Sequence, residues 1–488
     1  MTTFPLAVHS SGRYLVDANG IPFRVQGDSA WIACCDLTLT DLRTYLDDRQ
    51  SRGFNLIIVQ ITNPARYVVS STAPHCQGAG GALPFLKNGS GGTWGGDPNF
   101  ANNMISGSTA GSLFDADFSS ANDTYFAWID TLLNEANSRG ICVRLDFCYM
   151  GFNNGATDGW WQTLTNTQNT QTVCHTFGLY LGNRYKSFPN IIWDCGTDMF
   201  PSPGSEGETR FHKILQGIQD AGDTHLVTAH WKASSEATDE ANFAADQDVN
   251  GFYAHGPYPS FGPTIARARN AYNQALGPAC LWESGYEGEH GFSRAQLRFE
   301  MWGAMLGGIG GTTFGNGPIW TFDTAGAGWQ ASLGSDGTLD MQRVGALFDQ
   351  VAWWKLVPNG LGSIGTLITA GGGTAQTLGS PGTNDGADGL DYVCAAAAPD
   401  KSLLVAYLPD GRAAATTSVT IDMTKMYGST RARWFDPSNG AFSEIGRFPN
   451  TSTRAFAPVG TNNEGNKDWV LVLESGPSFP MFNVNMSA

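Results

Sequence analysis

From residue 12 to about residue 357 the chain alternates short apolar runs with segments of helical period, and this alternation limits the possible folds more than any other feature. One unit has a helix that begins near Thr38, a glycine at Gly53 and an apolar run at 54–60. The pattern recurs with a helix at 122–139 and a run at 140–146. Such repetition is typical of parallel βα units. Eight strands are expected, enough to close a TIM barrel, at 23–26, 52–60, 140–146, 191–193, 225–229, 250–254, 279–282 and 312–314.

The sequence pattern changes from alternating strands and helices to short strands after a last predicted helix at 339–356. Glycines at 360, 362 and 371–373 precede short alternating runs at 390–394, 403–408, 419–423, 431–435 and 469–473. Turn sequences such as Pro409-Asp410-Gly411 separate several of these runs. We therefore predict an α/β fold with a (β/α)8 TIM barrel domain over residues 12–358 and a C-terminal antiparallel β-sandwich domain over residues 359–488.

Two acidic residues stand where predicted barrel strands end. Glu283 ends the run 279–282, and Asp198 follows the run 191–193 after Gly196. In a barrel of this kind the chemistry lies at the C-terminal ends of the strands. Glycoside hydrolysis needs one carboxylic acid to protonate the leaving oxygen and one carboxylate to attack the sugar or activate a water. The pair therefore predicts a glycoside hydrolase.

A series of short motifs supports this interpretation in chain order. They are Gly27-Asp28-Ser29-Ala30-Trp31, Gly53-Phe54-Asn55, Asn190-Ile191-Ile192-Trp193 with Asp198, Trp282-Glu283 with Tyr286-Glu287-Gly288, Gly315-Asn316 before Ile319-Trp320, and Asp468-Trp469-Val470-Leu471. With these motifs the chain resembles the apiosidase-like glycoside hydrolases, whose barrel is commonly followed by a small domain of collagen-binding type. The resemblance covers nearly the whole chain.

The resemblance implies an activity and two catalytic roles. Members of that family are understood to release apiose, a pentofuranose, from plant pectin. By motif position, Asp198 corresponds to the acid/base and Glu283 to the nucleophile. The leading hypothesis is a retaining, exo-acting enzyme on a plant cell-wall glycan, while the choice between retention and inversion depends on the carboxyl separation and that between exo and endo action stays open. The chain departs from the family pattern at Thr197, where a second glycine is usual, and at Ser284, where a proline is usual. Because both departures flank the catalytic acids, the sugar need not be apiose.

Each acid also has a structural alternative. Asp198 could cap the segment that follows it, and Glu283 could pair with Arg294 or Arg298 of the next helix. Glu287 and Glu289 are competitors for the nucleophile role. For the whole protein, the alternatives are a catalytically inactive carbohydrate-binding protein and a glycosidase of the same fold that acts on a different sugar.

Polar and aromatic residues near the predicted strand ends are candidates for holding the sugar, since carbohydrate rings stack on indole faces. His230 is expected either at the rim or orienting a carboxylate, and Asp194 is expected inside the barrel. The long segment from residue 62 to about residue 120 is expected to form a wall of the cleft. The predicted substrate-binding residues are Asp28, Trp31, Gln60, Asn63, Asp146, Trp231, His255, Glu287, Asn316 and Trp320.

The amino-acid composition limits the classes of molecule that the protein is expected to bind. The chain has 28 Lys plus Arg against 44 Asp plus Glu, a net charge of -16, which disfavours nucleic acid and anionic membranes as partners. A neutral or weakly charged oligosaccharide or polysaccharide is the expected partner. The nine cysteines are odd in number and lack metal-site spacing, so neither a metal nor a cofactor is expected. The N-terminus lacks the pattern of a signal peptide. Export after removal of a leader and a cytoplasmic location both stay open, as does the oligomeric state.

Overall fold

The computed structural model describes residues 2–35, 37–62, 82–86, 116–151, 159–254, 264–322, 327–381, 389–412 and 417–476. Most of the long segment predicted to line the cleft therefore lies outside the described residues. Within the described residues, no helix has the length and apolar character needed to cross a membrane. The eight cysteines among them are all buried and are present as thiols.

A small antiparallel sheet of three short strands precedes the barrel. Its strands are β1 (Ala7–Val8), β2 (Leu15–Val16) and β3 (Pro22–Phe23). The first barrel strand was predicted at 23–26, which is wrong, because the chain leaves β3 at Phe23 and enters the barrel only at Val25. Arg24 stands between the two strands, and its guanidinium pairs with Asp349 on the outside of the barrel.

Eight parallel strands form the barrel, as the alternation of the sequence predicts. Two further short strands, β9 and β12, lie at its rim. The strands of this region are β4 (Val25–Ser29), β5 (Leu56–Gln60), β6 (Cys142–Asp146), β7 (Ile191–Thr197), β8 (Leu226–His230), β9 (Ser235–Glu236), β10 (Asn250–Tyr253), β11 (Ala279–Glu283), β12 (Tyr286–Glu287) and β13 (Gly311–Asn316).

The sheet runs in the order β8, β7, β6, β5, β4, β13, β11, β10, β9. Its two ends meet through a parallel bridge between Thr228 of β8 and Val249 just before β10. The Thr228 hydroxyl donates a 2.9 Å hydrogen bond to the Val249 carbonyl. The fifth and sixth strands are therefore joined by one bridge rather than a full ladder, which nearly closes the barrel.

Helices cover the outside of the barrel, and most begin at a side-chain cap. Thr38 accepts a hydrogen bond from the Asp41 backbone, as its sequence position predicts, and Ser293 forms a capping box with Gln296. The helices are α1 (Leu39–Ser51), α2 (Asp123–Ser138), α3 (Trp161–Thr165), α4 (Gln171–Tyr185), α5 (Glu206–Asp220), α6 (Thr264–Gln274), α7 (Arg294–Leu306), α8 (Gly317–Trp320), α9 (Gly328–Ala331) and α10 (Asp336–Phe348).

The last barrel helix differs from its prediction. Helix α10 begins after the cap Ser335 and ends at Phe348, whereas the apolar pattern predicted 339–356. The pattern continues past the helix because a separate 3-10 turn, Trp353–Lys355, also buries an apolar side chain. Four more 3-10 turns occur in the described chain, at Phe118–Ser120, Ala237–Asp239, Ala244–Asp246 and Met423–Lys425.

The C-terminal region is antiparallel, as predicted. It has a six-stranded sheet in the order β14, β16, β17, β22, β19, β20 and a three-stranded sheet in the order β15, β18, β21. The strands are β14 (Val357–Pro358), β15 (Ile368–Ala370), β16 (Cys394–Ala397), β17 (Leu403–Leu408), β18 (Val419–Asp422), β19 (Thr430–Phe435), β20 (Phe442–Phe448), β21 (Thr453–Phe456) and β22 (Trp469–Glu474).

One face of the six-stranded sheet packs on the barrel and the other forms the interior of the sandwich. Leu404 and Leu471 lie in the sandwich core, while Val405 and Val472 lie in a core shared with barrel helices. The strand predicted at 390–394 is wrong, since residues 390–391 form a turn and the strand begins only at Cys394. The domain boundary between residues 358 and 359 stays a prediction.

Candidate active site

A cleft of about 770 Å³ opens at the C-terminal ends of the barrel strands. Asp198 and Glu283, the two predicted catalytic acids, both line it, as do three predicted binding residues, Trp31, Gln60 and Trp320. The remaining described residues of its lining are Tyr149, Tyr253, Ser284, Tyr286, Glu289 and His290.

Asp198 reaches the cleft because the backbone turns sharply after β7. Gly196 has φ 114°, and a Cβ built on it would meet the Trp231 ring at 2.0 Å, so only glycine fits there. Asp198 itself has φ 60°, an uncommon left-handed conformation for a non-glycine residue that is often found at functional sites. The Tyr149 hydroxyl donates a 3.0 Å hydrogen bond to Asp198 Oδ2.

Glu283 is the last residue of β11, and its carboxylate contacts a fully buried histidine. His230, the last residue of β8, places Nε2 3.0 Å from Glu283 Oε2. The alternative for Glu283, pairing with Arg294 or Arg298, is not what the structure shows, because those guanidinium groups bind Asp340 and Asp468. Glu283 therefore faces the cleft with one side held by an imidazole.

Behind His230 lies a buried ion pair. Arg144 Nη2 is 2.9 Å from Asp194 Oδ2 and 3.2 Å from His230 Nδ1, and all three side chains are fully buried. The Arg144 guanidinium also lies over the rings of Trp282 and Trp31, 4.8 and 5.4 Å from their centroids. Burial lowers the pKa of Arg144, although nearby carboxylates oppose this effect. The interior of the barrel thus supports Glu283 through fixed charges and aromatic faces.

The charge state of His230 depends on its contacts with Asp194, Glu283 and Arg144. Burial alone lowers the pKa of the ring, but hydrogen bonds with Asp194 and Glu283 outweigh it and raise the pKa to about 9. Its Nδ1 can accept from Arg144 when neutral or donate toward Asp194, 3.7 Å away, when protonated. Two carboxylates against one guanidinium favour the charged ring, whereas the 3.2 Å approach of Arg144 Nη2 to Nδ1 opposes it.

The acids and the histidine are close together. One carboxylate oxygen of Asp198, one of Glu283 and a ring nitrogen of His230 all lie within 4.8 Å of one another. Among the described residues, this is the group whose His, Cys, Asp and Glu atoms are near enough to hold a metal ion. His230 Nε2 lies 3.0 Å from Glu283 Oε2, so the three groups can also form a proton and hydrogen-bond network.

Glu287, the competitor for the nucleophile role, points elsewhere. Its carboxylate accepts hydrogen bonds from the Gly337 backbone (2.8 Å), the Ser335 hydroxyl and the Asn316 amide (2.9 Å). These contacts place it at the N-terminus of α10, where a negative charge is stabilised. Glu287 and Asn316, both predicted to bind substrate, are therefore bonded to each other and do not line the cleft.

Glu289 is a third carboxylate in the cleft. Its Oε1 accepts a 2.6 Å hydrogen bond from the Trp320 indole, and its Oε2 is 3.6 Å from His290 Nε2. Burial raises the pKa of Glu289, and the nearby Glu283 charge adds to this rise, while the Trp320 hydrogen bond opposes it.

Three other predicted binding residues lie behind the cleft wall. Asp28 is fully buried, bonded to the Tyr45 hydroxyl at 2.7 Å and 3.5 Å from Arg49 Nε. Burial raises the pKa of Asp28 and the Arg49 charge opposes the rise. Asp146 and Trp231 are buried as well. Asn63 and His255 lie outside the described residues, so their predicted roles stay untested.

Several lining residues were missed in the sequence. Tyr149 closely follows the predicted strand at 140–146 and Tyr253 lies near the end of the predicted strand at 250–254, so a search for aromatic residues at strand ends would have found them. Tyr286 belongs to a quoted motif, and its hydroxyl accepts a 2.8 Å hydrogen bond from the Trp31 indole. Arg144 carried a clearer signal, since an arginine inside a buried strand requires a buried partner.

Two solved structures share this architecture over nearly the whole chain. A protein described as a glycoside hydrolase superimposes with a TM-score of 0.69 at 19% identity, covering 97% of this chain and 98% of the other. A glycoside hydrolase family 5 protein from Bacteroides vulgatus has a TM-score of 0.69 at 21% identity, covering 96% and 93%. Similarity at this identity concerns the fold. No curated protein matches the chain.

A TIM barrel with two close carboxylates at its fourth and seventh strands defines the class of barrel glycosidases. The chain belongs to the apiosidase-like family, because residues 9–355 match the family described as "Apiosidase-like, catalytic domain". Residues 383–474 match a family described as "Putative collagen-binding domain of a collagenase". The protein is a glycosidase, and the predicted family is confirmed.

Proposed function

We propose that the protein is a retaining, exo-acting glycosidase in which Glu283 is the nucleophile and Asp198 the acid/base. The observation that supports the retaining mechanism is the approach of one carboxylate oxygen of Asp198 to within 4.8 Å of one of Glu283, which favours the shorter of the two spacings known between catalytic carboxyl groups. Retaining glycosidases keep their two carboxyl groups about 5 to 5.5 Å apart, whereas inverting enzymes leave roughly 6.5 to 9.5 Å for a water.

Two steps follow from these roles. Glu283 attacks the anomeric carbon and forms an ester while the glycosidic bond breaks, and Asp198 gives its proton to the leaving oxygen. Asp198 then takes a proton from a water, whose oxygen attacks the anomeric carbon and releases Glu283 and the free sugar. The hydrogen bond from His230 Nε2 to Glu283 Oε2 (3.0 Å) fixes the direction in which the nucleophile points.

The glycone is a neutral sugar. The acidic side chains of the described cleft lining are Asp198, Glu283 and Glu289, and no Lys or Arg accompanies them in that lining. A uronate placed beside Glu289 would face like charge in a partly dehydrated site. The rings of Trp31 and Trp320 supply faces on which a neutral sugar can stack.

The substrate is a plant cell-wall glycan or glycoside, pectic or hemicellulosic, from which a terminal sugar is released. Membership of the apiosidase-like family supports this assignment. Ser284 lines the cleft beside the nucleophile, where the family usually has proline. Because Ser284 replaces this proline next to the proposed nucleophile, the glycone can be a sugar related to apiose or apiose itself.

Sugar release from pectic and hemicellulosic oligosaccharides and 4-nitrophenyl glycosides tests the proposal. Wild type is expected to release one neutral monosaccharide and Glu283→Gln none. Proton NMR of the first product should show the anomeric configuration of the substrate, since two displacements retain it. An inverted first product would overturn the nucleophile role of Glu283. Binding of a glycan that wild type never cleaves would instead favour an inactive carbohydrate-binding protein.

A further inference from the structure

Helix α7 is buried between the barrel and the C-terminal domain. Every residue from Leu297 to Leu306 is buried. A helix that is buried on all sides lies in the interior of a structure rather than on its surface. On the outer side, the Trp302 indole stacks on the Tyr407 ring of β17 with an interplanar angle of 3°. The helix is thus part of one continuous core with the C-terminal sheet.

An ion pair fixes the outer face of α7 to the C-terminal domain. Arg298 binds Asp468 through two parallel hydrogen bonds, Nε to Oδ2 at 2.7 Å and Nη2 to Oδ1 at 2.9 Å. The remaining capacity of the Asp468 carboxylate is filled by the Tyr407 hydroxyl (3.0 Å) and the Asn462 amide (2.7 Å). A bidentate buried pair with every partner satisfied is geometrically specific.

The inner face of α7 holds the turn that follows the nucleophile. Glu300 Oε2 accepts a 3.1 Å hydrogen bond from the Gly285 backbone N–H, two residues after Glu283. Its carboxyl group also bonds the side chains of Ser284 and Thr264. Burial raises the pKa of Glu300 to about 8, although these hydrogen bonds oppose the rise. The carboxyl group is therefore mainly protonated and uncharged at neutral pH.

Arg298 and Glu300 are two residues apart, and such residues point to nearly opposite sides of a helix. One short rigid element therefore connects the C-terminal domain to the backbone beside Glu283. Helix α10 strengthens the connection, because its Asp340 binds Arg298 Nη1 at 3.0 Å and Arg294 Nε at 2.6 Å.

We propose that the C-terminal domain braces the nucleophile through α7, with Asp468 holding Arg298 on one face and Glu300 holding the Ser284-Gly285 turn on the other. Asp468, Arg298 and Glu300 are positioning residues that act through the backbone next to Glu283. The catalytic consequence rests on the proposed role of Glu283 as nucleophile. The C-terminal domain then contributes to catalysis by positioning the backbone next to Glu283.

The brace is tested first without substrate. Hydrogen–deuterium exchange of peptides covering residues 281–288 is compared in wild type, Asp468→Asn, Glu300→Ala and Glu474→Gln. Glu474 is the matched control, since it forms a part-buried ion pair with Arg433 (2.7 Å) inside the same sheet. We expect exchange at Gly285 to rise about tenfold in Asp468→Asn and Glu300→Ala but not in the control. Unchanged exchange in a folded Asp468→Asn protein overturns the brace.

Kinetics on the 4-nitrophenyl glycoside that wild type cleaves test the catalytic consequence. Asp468→Asn and Glu300→Ala should lower kcat about 10- to 100-fold with KM unchanged, because a displaced nucleophile affects the chemical step. Glu300→Gln should restore kcat, since an amide oxygen can accept from Gly285 as a neutral carboxyl does. An equal loss in Glu300→Gln and Glu300→Ala, or a loss confined to KM, contradicts the positioning role.

Two further measurements keep the outcomes separate. If Asp468→Asn does not fold, Tyr407→Phe replaces it, because this change removes one hydrogen bond to the same carboxylate and keeps the aromatic stack. If Glu283→Gln remains active, the proposed nucleophile is wrong while the exchange experiment still decides the coupling. If Glu283→Gln is inactive and Asp468→Asn keeps full kcat with faster exchange, the catalytic role of the brace is wrong.

Discussion

The two proposed catalytic acids are held in different ways, although Glu283 ends β11, Asp198 directly follows β7 and both face the same cleft. Glu283 is the last residue of β11 and contacts a network made of His230, Arg144 and Asp194, all fully buried. Asp198 stands on a left-handed backbone after Gly196, and the neutral Tyr149 hydroxyl contacts its carboxylate at 3.0 Å. Glu283 is positioned by a buried side-chain network, whereas the path of the backbone brings Asp198 into the cleft, within 4.8 Å of the His230 ring and the Glu283 carboxylate.

The difference matches the proposed chemistry. A nucleophile acts through one oxygen in one direction, so fixed partners around it lower the cost of reaching the attack geometry. An acid/base must give up a proton and take one back within each turnover, and the Tyr149 hydroxyl contacts Asp198 without adding a charge of its own. The predictions below test this contrast, beginning with the largest expected effect.

Removal of the nucleophile should have the largest effect. Glu283→Gln keeps the size of the side chain and the contact with His230 but removes the attacking charge. We expect kcat to fall by roughly 10⁵-fold on every substrate, because the covalent step has no replacement. In Glu283→Ala, added azide should restore turnover of 4-nitrophenyl glycosides by entering the vacated space. Activity of Glu283→Gln near the wild-type level would show that Glu283 is not the nucleophile, and the proposed difference in role between Glu283 and Asp198 would be wrong.

Removal of the acid/base should depend on the leaving group. Asp198→Ala is expected to lower kcat/KM about 10²- to 10⁴-fold on natural oligosaccharides, the usual contribution of general acid catalysis. The loss should be much smaller in the first step with 4-nitrophenyl glycosides, whose leaving group needs no proton. The comparison of the two substrate classes in one variant is the measurement. Equal losses on both would count against the acid role and favour a structural one.

The difference between the acids also explains what the sequence could reveal. Strand periodicity predicted the barrel, and therefore the strand ends, so Asp198 and Glu283 were found as acids at those ends. The left-handed conformation of Asp198 was only indirectly visible, through Gly196. Periodicity failed at β20 and β21, where exposed residues leave little alternation to detect.

The partners of the acids were harder to predict, because they come from distant strands. Arg144 of β6 and Asp194 of β7 meet His230 of β8 only when the three strands lie side by side. Asp194 was expected inside the barrel and does lie there, but its pairing with Arg144 needed the register of the sheet. The contact of Glu300 with Gly285 needed, in addition, the rotation of α7 about its axis.

Loss of the imidazole charge should have an intermediate effect. His230→Gln removes the charged partner of Glu283 and should lower kcat about 10²-fold through misplacement of the carboxylate. It should also change stability with pH. Because the pKa of His230 is raised from 6.5 to about 9, its contribution to stability is fully present below about pH 6.5 and is lost as pH rises through about 9. The difference in Tm between wild type and His230→Gln should therefore shrink as pH rises from 6 to 10. A constant difference would mean that the ring is neutral in the folded protein and that Nδ1 accepts from Arg144.

The smallest effect is expected at Glu287, which shares a turn with Glu283 but points to α10. Glu287→Gln should leave kcat/KM within about threefold of wild type, because the side chain does not reach the cleft. It should lower stability by about 1 kcal/mol, since the carboxylate interacts with the Gly337 N–H at the start of α10. Thermal unfolding and initial rates on the same sample separate the two quantities. A loss of activity as large as that of Glu283→Gln, without loss of stability, would transfer the nucleophile role to Glu287. The network of His230, Arg144 and Asp194 behind Glu283 would then stabilise the barrel interior. The difference between Glu283 and Asp198 would in that case affect the stability of the fold and not catalysis.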